Sequence, residues 1–433
     1  MNLARLNHIL IPSTSAERER WRLGLVGRLT RPGWWLYSAL SEEGRVLSVL
    51  VLFIGTAGLD VATSQVYYLW AALMGLLTAS MAVRPFMTLR DVVADVRVPP
   101  RIGVGVPVTF TISLRNRGDR ARHAIRIRGP FLPWDGRWMD TEARIAELGA
   151  GETEHRDVQA RFIQRGRHHL DPFQACALVP LGLTVGPIIR SESCHFVVVP
   201  HIANVDRFDV PSGRRFQPGG INHASETGET MELLGVRPYR PGDAVRDLHA
   251  KTWARQGTPH VREYQQEYFT RIGVVLDDDR SAVTEAGFEA CVSLAAGIIA
   301  KLGRGDTLVD LAFTSGEQPT VTVGRSVASL DQALDALADA DHRAPWEIEA
   351  VTARLAPKLD ELSSLVLVTQ SRDDKVLGLA EEIRRRGVAC IVVRVEDDTG
   401  PRWLRRDDAL PARGRRERVV MASHALSQEP LAI

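Results

Sequence analysis

The chain has 433 residues, 45% of them hydrophobic and 25% charged, enough for two ordinary soluble domains plus a membrane anchor. Its 54 Lys and Arg balance 53 Asp and Glu to a net charge of +1, which excludes a generic nucleic-acid binder. The cysteines, Cys176, Cys194, Cys291 and Cys390, stand far apart without a CxxC pair, which excludes a zinc knuckle or a CxxC redox motif and leaves them as small buried hydrophobes.

Residues 1–45 form an Arg-bearing N-terminal segment, in which Trp21–Tyr37 has the character of a membrane-surface stretch. Residues 46–83 contain two apolar runs, Val46–Thr63 and Val66–Val83, with Asp60 as their only charged side chain. Each run of 18 residues reaches about 27 Å as a helix, so two transmembrane helices are expected, with Tyr67, Tyr68 and Trp70 as interfacial aromatics. Arg5, Arg18, Arg20, Arg22, Arg28, Arg31 and Arg45 precede the runs, Arg84 and Arg90 follow them, and the loop between has no basic residue. The positive-inside rule therefore predicts that both ends are cytoplasmic.

From 86 to 205 the texture changes to short alternating segments. In Val108–Leu114 the residues Val108, Phe110, Ile112 and Leu114 face one way and Thr109, Thr111 and Ser113 the other, the period of a half-buried strand. With Ile125–Arg128, Val158–Ile163 and Cys194–Val199 this predicts an antiparallel, Ig-like β-sandwich. His168 and His169 are adjacent, so on a strand they point to opposite faces and joint metal ligation is not expected.

Residues 206–270 form an Arg-rich segment, and 271–396 alternate apolar strands with amphipathic helices. Strands are predicted at Ile272–Leu276, Leu308–Phe313, Leu365–Thr369 and Cys390–Val395, and helices at Leu330–Ala338 and Lys375–Arg386. This order implies a parallel sheet covered on both sides, with functional groups at the carboxyl ends of its strands. The remainder, 397–433, is an Arg-rich tail without periodicity.

Two places carry candidate chemistry. After the first of these strands stand Asp277, Asp278, Asp279, Arg280 and Ser281, an oxygen-rich cluster suited to Mg²⁺ or another divalent cation. The same residues also suit a helix cap with no metal, and the sequence leaves both open. In the Arg-rich segment, Arg237, Arg240, Arg246, Lys251 and Arg255 lie among Asp243, Asp247, Tyr239 and Trp253 around a Pro241-Gly242 turn. These guanidiniums either form internal ion pairs or bind an acidic or phosphorylated partner.

The run Arg237, Tyr239, Gly242, Asp243, Arg246, Leu248, His249, Lys251, Ala254 and Arg255 resembles the signature of the bacterial domain-of-unknown-function-58 family, with Ala250 in place of the expected Trp and Trp253 nearby. The resemblance implies a von Willebrand factor A-like (Rossmann-like) α/β domain after the motif, a bacterial inner-membrane location and a MoxR-type AAA+ ATPase as partner in chaperone-like assembly or maturation of other proteins. It also implies a metal motif of the D-x-S-x-S type, which Asp277 and Ser281 match, while Asp279 replaces the middle Ser and Gln370 stands where a later Asp is usual.

The expected whole is thus a multidomain, non-enzymatic interaction protein: an N-terminal transmembrane α-hairpin, a β-sandwich and a parallel-sheet α/β domain. Its partner-binding residues are Arg237, Tyr239, Arg240, Gly242, Asp243, Arg246 and Arg255, and its candidate metal residues are Asp277, Asp279 and Ser281. The alternative is a haloacid-dehalogenase-like, Mg²⁺-dependent phosphatase with Asp277 as nucleophile, an order that Asp279, Thr369, Lys375, Asp397 and Asp398 imitate. No Walker A sequence is present, so any ATP hydrolysis is expected from the partner. Arg117-Gly118-Asp119 and Arg304-Gly305-Asp306 spell an integrin triplet but fall at predicted turns.

Overall fold

The computed structural model describes residues 33, 35–57, 65–139, 143–210, 232–243, 245–265, 270–279, 284–304, 307–316, 319–324, 327–341, 345–371, 374–398 and 417–432. Asp60, Ser281 and the basic residues of segment 1–31 lie outside them. The chain divides into two compact units, Met1–Val199 and Pro200–Ile433.

The first unit opens with helices α1 (Glu42–Ala57) and α2 (Val66–Val83), the second running on through a 3-10 turn, Arg84–Phe86. The two pack closely where Gly55 meets Trp70: a Cβ at Gly55 would lie 2.7 Å from the indole nitrogen. Thr184 ties α2 to the β part, its Oγ1 lying 2.8 Å from Ser80 Oγ, and the Arg84 guanidinium donates to the Val185 carbonyl at 2.8 Å.

Strands follow as β1 (Val92–Arg97), β2 (Arg101–Gly103), β3 (Pro107–Asn116), β4 (Arg122–Arg128), β5 (Gly136–Trp138), β6 (Ala143–Leu148), β7 (Thr153–Phe162), β8 (Gly166–Leu170), β9 (Gln174–Ala177), β10 (Ile189–Arg190) and β11 (Cys194–Val199). They form sheets ordered β1-β3-β7-β5, β10-β9-β4-β6 and β2-β11-β8, antiparallel throughout except for β2 with β11. In β3 alternate residues Val108, Phe110, Ile112 and Leu114 are buried, as their period requires. They pack with Ile125, Val158, Phe162, Phe173 and Phe196 in one core.

The second unit contains β12 (Val205–Arg207), β13 (Glu232–Pro238), α3 (Ala250–Gln256), β14 (His260–Gln265), β15 (Thr270–Leu276), α4 (Glu285–Leu302), β16 (Thr307–Phe313), β17 (Val321–Val323), α5 (Val327–Ala338) and α6 (Ile348–Leu359). It continues with β18 (Ser364–Thr369), α7 (Asp374–Arg385), β19 (Ala389–Glu396), β20 (Glu417–Met421), α8 (Ala422–Ala425) and β21 (Leu431–Ala432). Six strands make one sheet, ordered β17-β16-β15-β18-β19-β20. The middles of its central strands are apolar runs because both faces are covered: Val274, Val275, Leu276, Val366, Leu367 and Val368 are all buried. Helix α4 begins at Thr284, whose hydroxyl accepts from the Gly287 N–H at 3.2 Å.

The expected fold class is corrected here. Among the described residues one helix, Val66–Phe86, is long and apolar enough to cross a membrane, so the transmembrane α-hairpin is not retained. Helix α1 has 16 residues and carries Glu42, Glu43 and Arg45 in its first turn, which shortens its apolar run below a span. The parallel-sheet, von Willebrand factor A-like (Rossmann-like) domain is also corrected. The edge strand β17 returns antiparallel to β16 as a hairpin, and the sheet is mixed. The Arg-rich segment has structure of its own, since β13 and β14 pair as an antiparallel hairpin within it. Part of the tail is ordered too: β20 adds to the sheet beside β19, and β21 pairs with β12.

Candidate functional site

Two regions of the second unit draw together the residues singled out in the sequence. At the carboxyl end of β15 the chain leaves the sheet as Asp277, Asp278 and Asp279, whose exposures are only 5%, 3% and 6%. Buried carboxylates need donors, and neighbouring strand ends supply them. Asp277 accepts from Thr369 Oγ1 at 2.6 Å, at the end of β18, and from Trp346 Nε1 at 2.8 Å, in the loop before α6. Asp278 accepts from Thr314 Oγ1 at 2.7 Å, Ser315 N at 2.8 Å and Ser315 Oγ at 2.5 Å, all just after β16. Arg354 of α6 braces that loop by donating to the carbonyls of Thr314 and Ser315.

Asp279 meets the ammonium of Lys375, at 3.8 Å, and the same ammonium lies over the Trp346 ring, 4.5 Å from its centre. Burial pushes the Asp277 carboxyl above the ordinary carboxylate range, the charge of Asp279 adds to that, and the donors from Thr369 and Trp346 oppose it.

Asp277 and Asp279 therefore fall at one site, while Ser281 lies outside the described residues. Among the described residues no group of three or more His, Cys, Asp or Glu is placed to hold a metal ion. Both oxygens of Asp277 and of Asp278 are already engaged by neutral donors, and Lys375 places a positive charge beside Asp279. These donor sets do not fit Mg²⁺. Gln370, where the family pattern expects Asp, turns to α4 instead: its Oε1 accepts from Thr284 N at 3.1 Å and its Nε2 donates to Thr284 Oγ1 at 2.8 Å.

Of the phosphatase set, Thr369 and Lys375 join Asp277 and Asp279. Asp397 and Asp398 do not: the first accepts from Thr284 Oγ1 at 2.5 Å and the second from Ser423 Oγ at 2.5 Å. Trp346, Thr314 and Ser315 escaped sequence reasoning, and the one signal was a lone tryptophan in a polar stretch.

The second region is the β13–β14 hairpin with α3. Arg237 on β13 grips Asp243 through both guanidinium arms, at 2.7 and 2.8 Å, and Asp243 also accepts from Arg240 N at 2.8 Å. The Arg237 guanidinium holds the Asp243 carboxyl down to about 2, helped by the Arg240 N–H. Gly242 closes this turn at φ 105°, a conformation that glycine adopts without strain. Arg237, Asp243 and Gly242 thus serve architecture, and Tyr239 is half-buried beside them.

Arg240, Arg246, Lys251, Arg255 and Arg262 are instead exposed, as are Val245 and Trp253. On α3, Lys251 and Arg255 are four residues apart and share a face. His249 caps that helix, its Nδ1 accepting from Thr252 N at 3.3 Å, and Gly257 ends it at φ 71°.

All four cysteines are buried, and none is in a disulfide. Burial raises the thiols of Cys194 and Cys291 and pushes Cys390 up to about 12, so none of these three is a reactive thiolate.

No protein-family model matches the chain, and no curated protein matches it. Among solved structures, the chain is similar to the CARDB domain of the PF1109 protein from Pyrococcus furiosus, solved in complex with di-metal ions, at 14% identity over 25% of this chain and 88% of that one, with a TM-score of 0.17. It is also similar to native α2-macroglobulin of E. coli, at 14% identity over 30% of this chain and 9% of that one, with a TM-score of 0.21.

Proposed function

We propose that the protein is a membrane-anchored, non-enzymatic interaction module that presents the β13–β14 hairpin and α3 to an acidic surface of a partner. The observation that carries this reading is the division of labour among the hairpin's arginines. Arg237 is consumed in locking the turn through Asp243, while Arg240, Arg246, Lys251 and Arg255 stand exposed beside an exposed Trp253. Arginine and tryptophan on a rigid support are the side chains that carry most binding energy at protein interfaces.

The resemblance of Arg237–Arg255 to the domain-of-unknown-function-58 signature makes a MoxR-type AAA+ ATPase the proposed partner, in assembly or maturation of other proteins. In this reading helix Val66–Phe86 anchors the chain in a bacterial inner membrane, and Arg84 and Arg90 place the following residues on the cytoplasmic side.

The test is affinity purification of the full-length protein from detergent-solubilised membranes, in parallel with Arg246→Glu/Arg255→Glu. An AAA+ ATPase that co-purifies with wild type and is lost with the variant supports the reading; one retained equally by both rejects this surface.

One observation favours a second reading, the Asp277-dependent phosphatase: Thr369 and Lys375 do converge on Asp277 and Asp279. Against it, both Asp277 oxygens already accept hydrogen bonds, which blunts the carboxylate as a nucleophile. Mg²⁺-dependent turnover of an aryl phosphate that disappears in Asp277→Ala would establish it, and equal rates in both proteins would remove it.

A further inference from the structure

The two faces of β8 divide a pair of adjacent histidines. His168 points inward, stacks on Phe196 with ring centres 5.6 Å apart, and bonds Asp135 at 2.7 Å. His169 points outward, and its antiparallel neighbour on β11 is His195, its direct partner in the register. Both outward rings are exposed, with their centres 4.5 Å apart, and His169 Nδ1 lies 2.8 Å from His195 Nε2. At that distance one nitrogen carries a proton and the other a lone pair, because two lone pairs or two N–H groups would repel.

The far side of the His169 ring completes the arrangement. Its Nε2 is 3.9 Å from Asp171 Oδ1, so the negative charge favours a proton on Nε2 and turns the Nδ1 lone pair toward His195. An imidazole whose outer N–H faces a carboxylate while its inner nitrogen points at a second imidazole is how proteins prepare histidine for a metal.

We propose that His169 and His195 form a two-imidazole site for a late first-row divalent cation, preferring Cu²⁺ and Ni²⁺ to Zn²⁺. The preference follows from spacing. Two ligands at about 2.0 Å subtend roughly 2.8 Å in a cis square-planar arrangement and roughly 3.3 Å in a tetrahedral one. The observed 2.8 Å already has the span that tetragonal ions require. Binding needs a turn of the two rings about χ2 and transfer of the shared proton to His195 Nδ1, so that both lone pairs meet the ion and no proton is released. Water fills the remaining positions, and the β8–β11 ladder holds the two Cα atoms at fixed separation.

The full-length protein in detergent is titrated calorimetrically with Ni²⁺, then Cu²⁺, then Zn²⁺, beside His169→Gln and His195→Gln. Wild type is expected to bind one more Ni²⁺ or Cu²⁺ equivalent than either variant, and to bind Zn²⁺ there more weakly. A raised melting temperature with Ni²⁺ is expected for wild type alone, a readout that loss of the imidazole hydrogen bond by itself would not give. Equal stoichiometry in all three proteins overturns the site, and tighter Zn²⁺ than Ni²⁺ at the site overturns the geometric assignment.

Discussion

The indole N–H of Trp346 donates to Asp277 Oδ1 at 2.8 Å, while Thr369 holds the other oxygen at 2.6 Å, so the buried carboxylate is fixed from one strand end and one loop. Since Asp277 titrates above its unfolded range, the folded protein binds the proton more tightly than the unfolded chain does. The stabilisation this gives is complete below the unfolded value of about 3.9 and is lost as pH rises through the folded value. Wild type is therefore expected to lose thermal stability relative to Asp277→Asn as pH is raised from 4 upward. Trp346→Phe should move that loss to higher pH and cost about 1–3 kcal/mol, the cost of leaving a buried acceptor without its donor. Thermal melts across pH on the three proteins measure both, and a pH-independent difference from Asp277→Asn would show that Asp277 does not titrate as described.

Asp243 behaves in the opposite sense. Held at about 2 by Arg237, it binds its proton less tightly when folded, so its contribution is present above the unfolded value and is lost as pH falls toward 2. In Arg237→Gln the Asp243 midpoint, followed by NMR, is expected to return toward the ordinary carboxylate value. Partner binding should fall less in this variant than in Arg246→Glu/Arg255→Glu, because Arg237 shapes the turn and the other two face outward.

Some of this was legible in the sequence for physical reasons. A strand covered on both faces has to be a continuous apolar run, which is why Ile272–Leu276 and Leu365–Thr369 mark β15 and β18 so closely. β17 is three residues long and β20 begins with Glu417 and Arg418, so neither shows an apolar run long enough to read. The acidic run at 277–279 was visible, but Trp346, Thr314 and Thr369 come from separate loops and strand ends, and their convergence is a property of the strand order alone. In the same way, the opposite facing of His168 and His169 follows from strand period, whereas the meeting of His169 with His195 depends on the β8–β11 register.

The inward histidine gives a third test. Burial alone would pull the His168 imidazole down, but Asp135 on Nε2 at 2.7 Å and the Gly166 carbonyl on Nδ1 at 3.1 Å outweigh it and raise the group. The stabilisation is therefore present below about 6.5 and is lost as pH rises through the folded value. Wild type should exceed His168→Phe in melting temperature at pH 5.5, with the margin shrinking by pH 8.5; a constant margin would mean that the ring matters only for its stacking on Phe196.

Helix Val66–Phe86 supplies a fourth. Leu76 is exposed at its middle, and an arginine at the centre of a spanning helix costs roughly 2.5–3.5 kcal/mol. Leu76→Arg is expected to shift the protein from the carbonate-resistant to the extractable membrane fraction, and unchanged retention would place the anchor elsewhere.

The last prediction concerns Gly297, which lies inside α4 among buried residues. In an ordinary helix interior, Gly→Ala stabilises by about 1 kcal/mol through propensity. Here the segment leading into β12 crosses the helix so closely that a Cβ at Gly297 would overlap the Ala203 carbonyl oxygen and approach Ala203 Cβ and Val205 Cγ2 at 3.0 Å. The carbonyl is backbone, and the segment is held by Ala203 N donating to Ser293 O at 3.1 Å and by the pairing of β12 with β21, so the neighbour cannot simply swing aside. Overpacking of this kind costs about 1–3 kcal/mol, which reverses the sign of the propensity gain. Gly297→Ala should therefore melt lower than wild type in a thermal scan, and Ala203→Gly, which removes the Cβ but not the carbonyl, should recover only part of the loss. A variant more stable than wild type would mean that the strap over α4 is looser than the backbone contact implies.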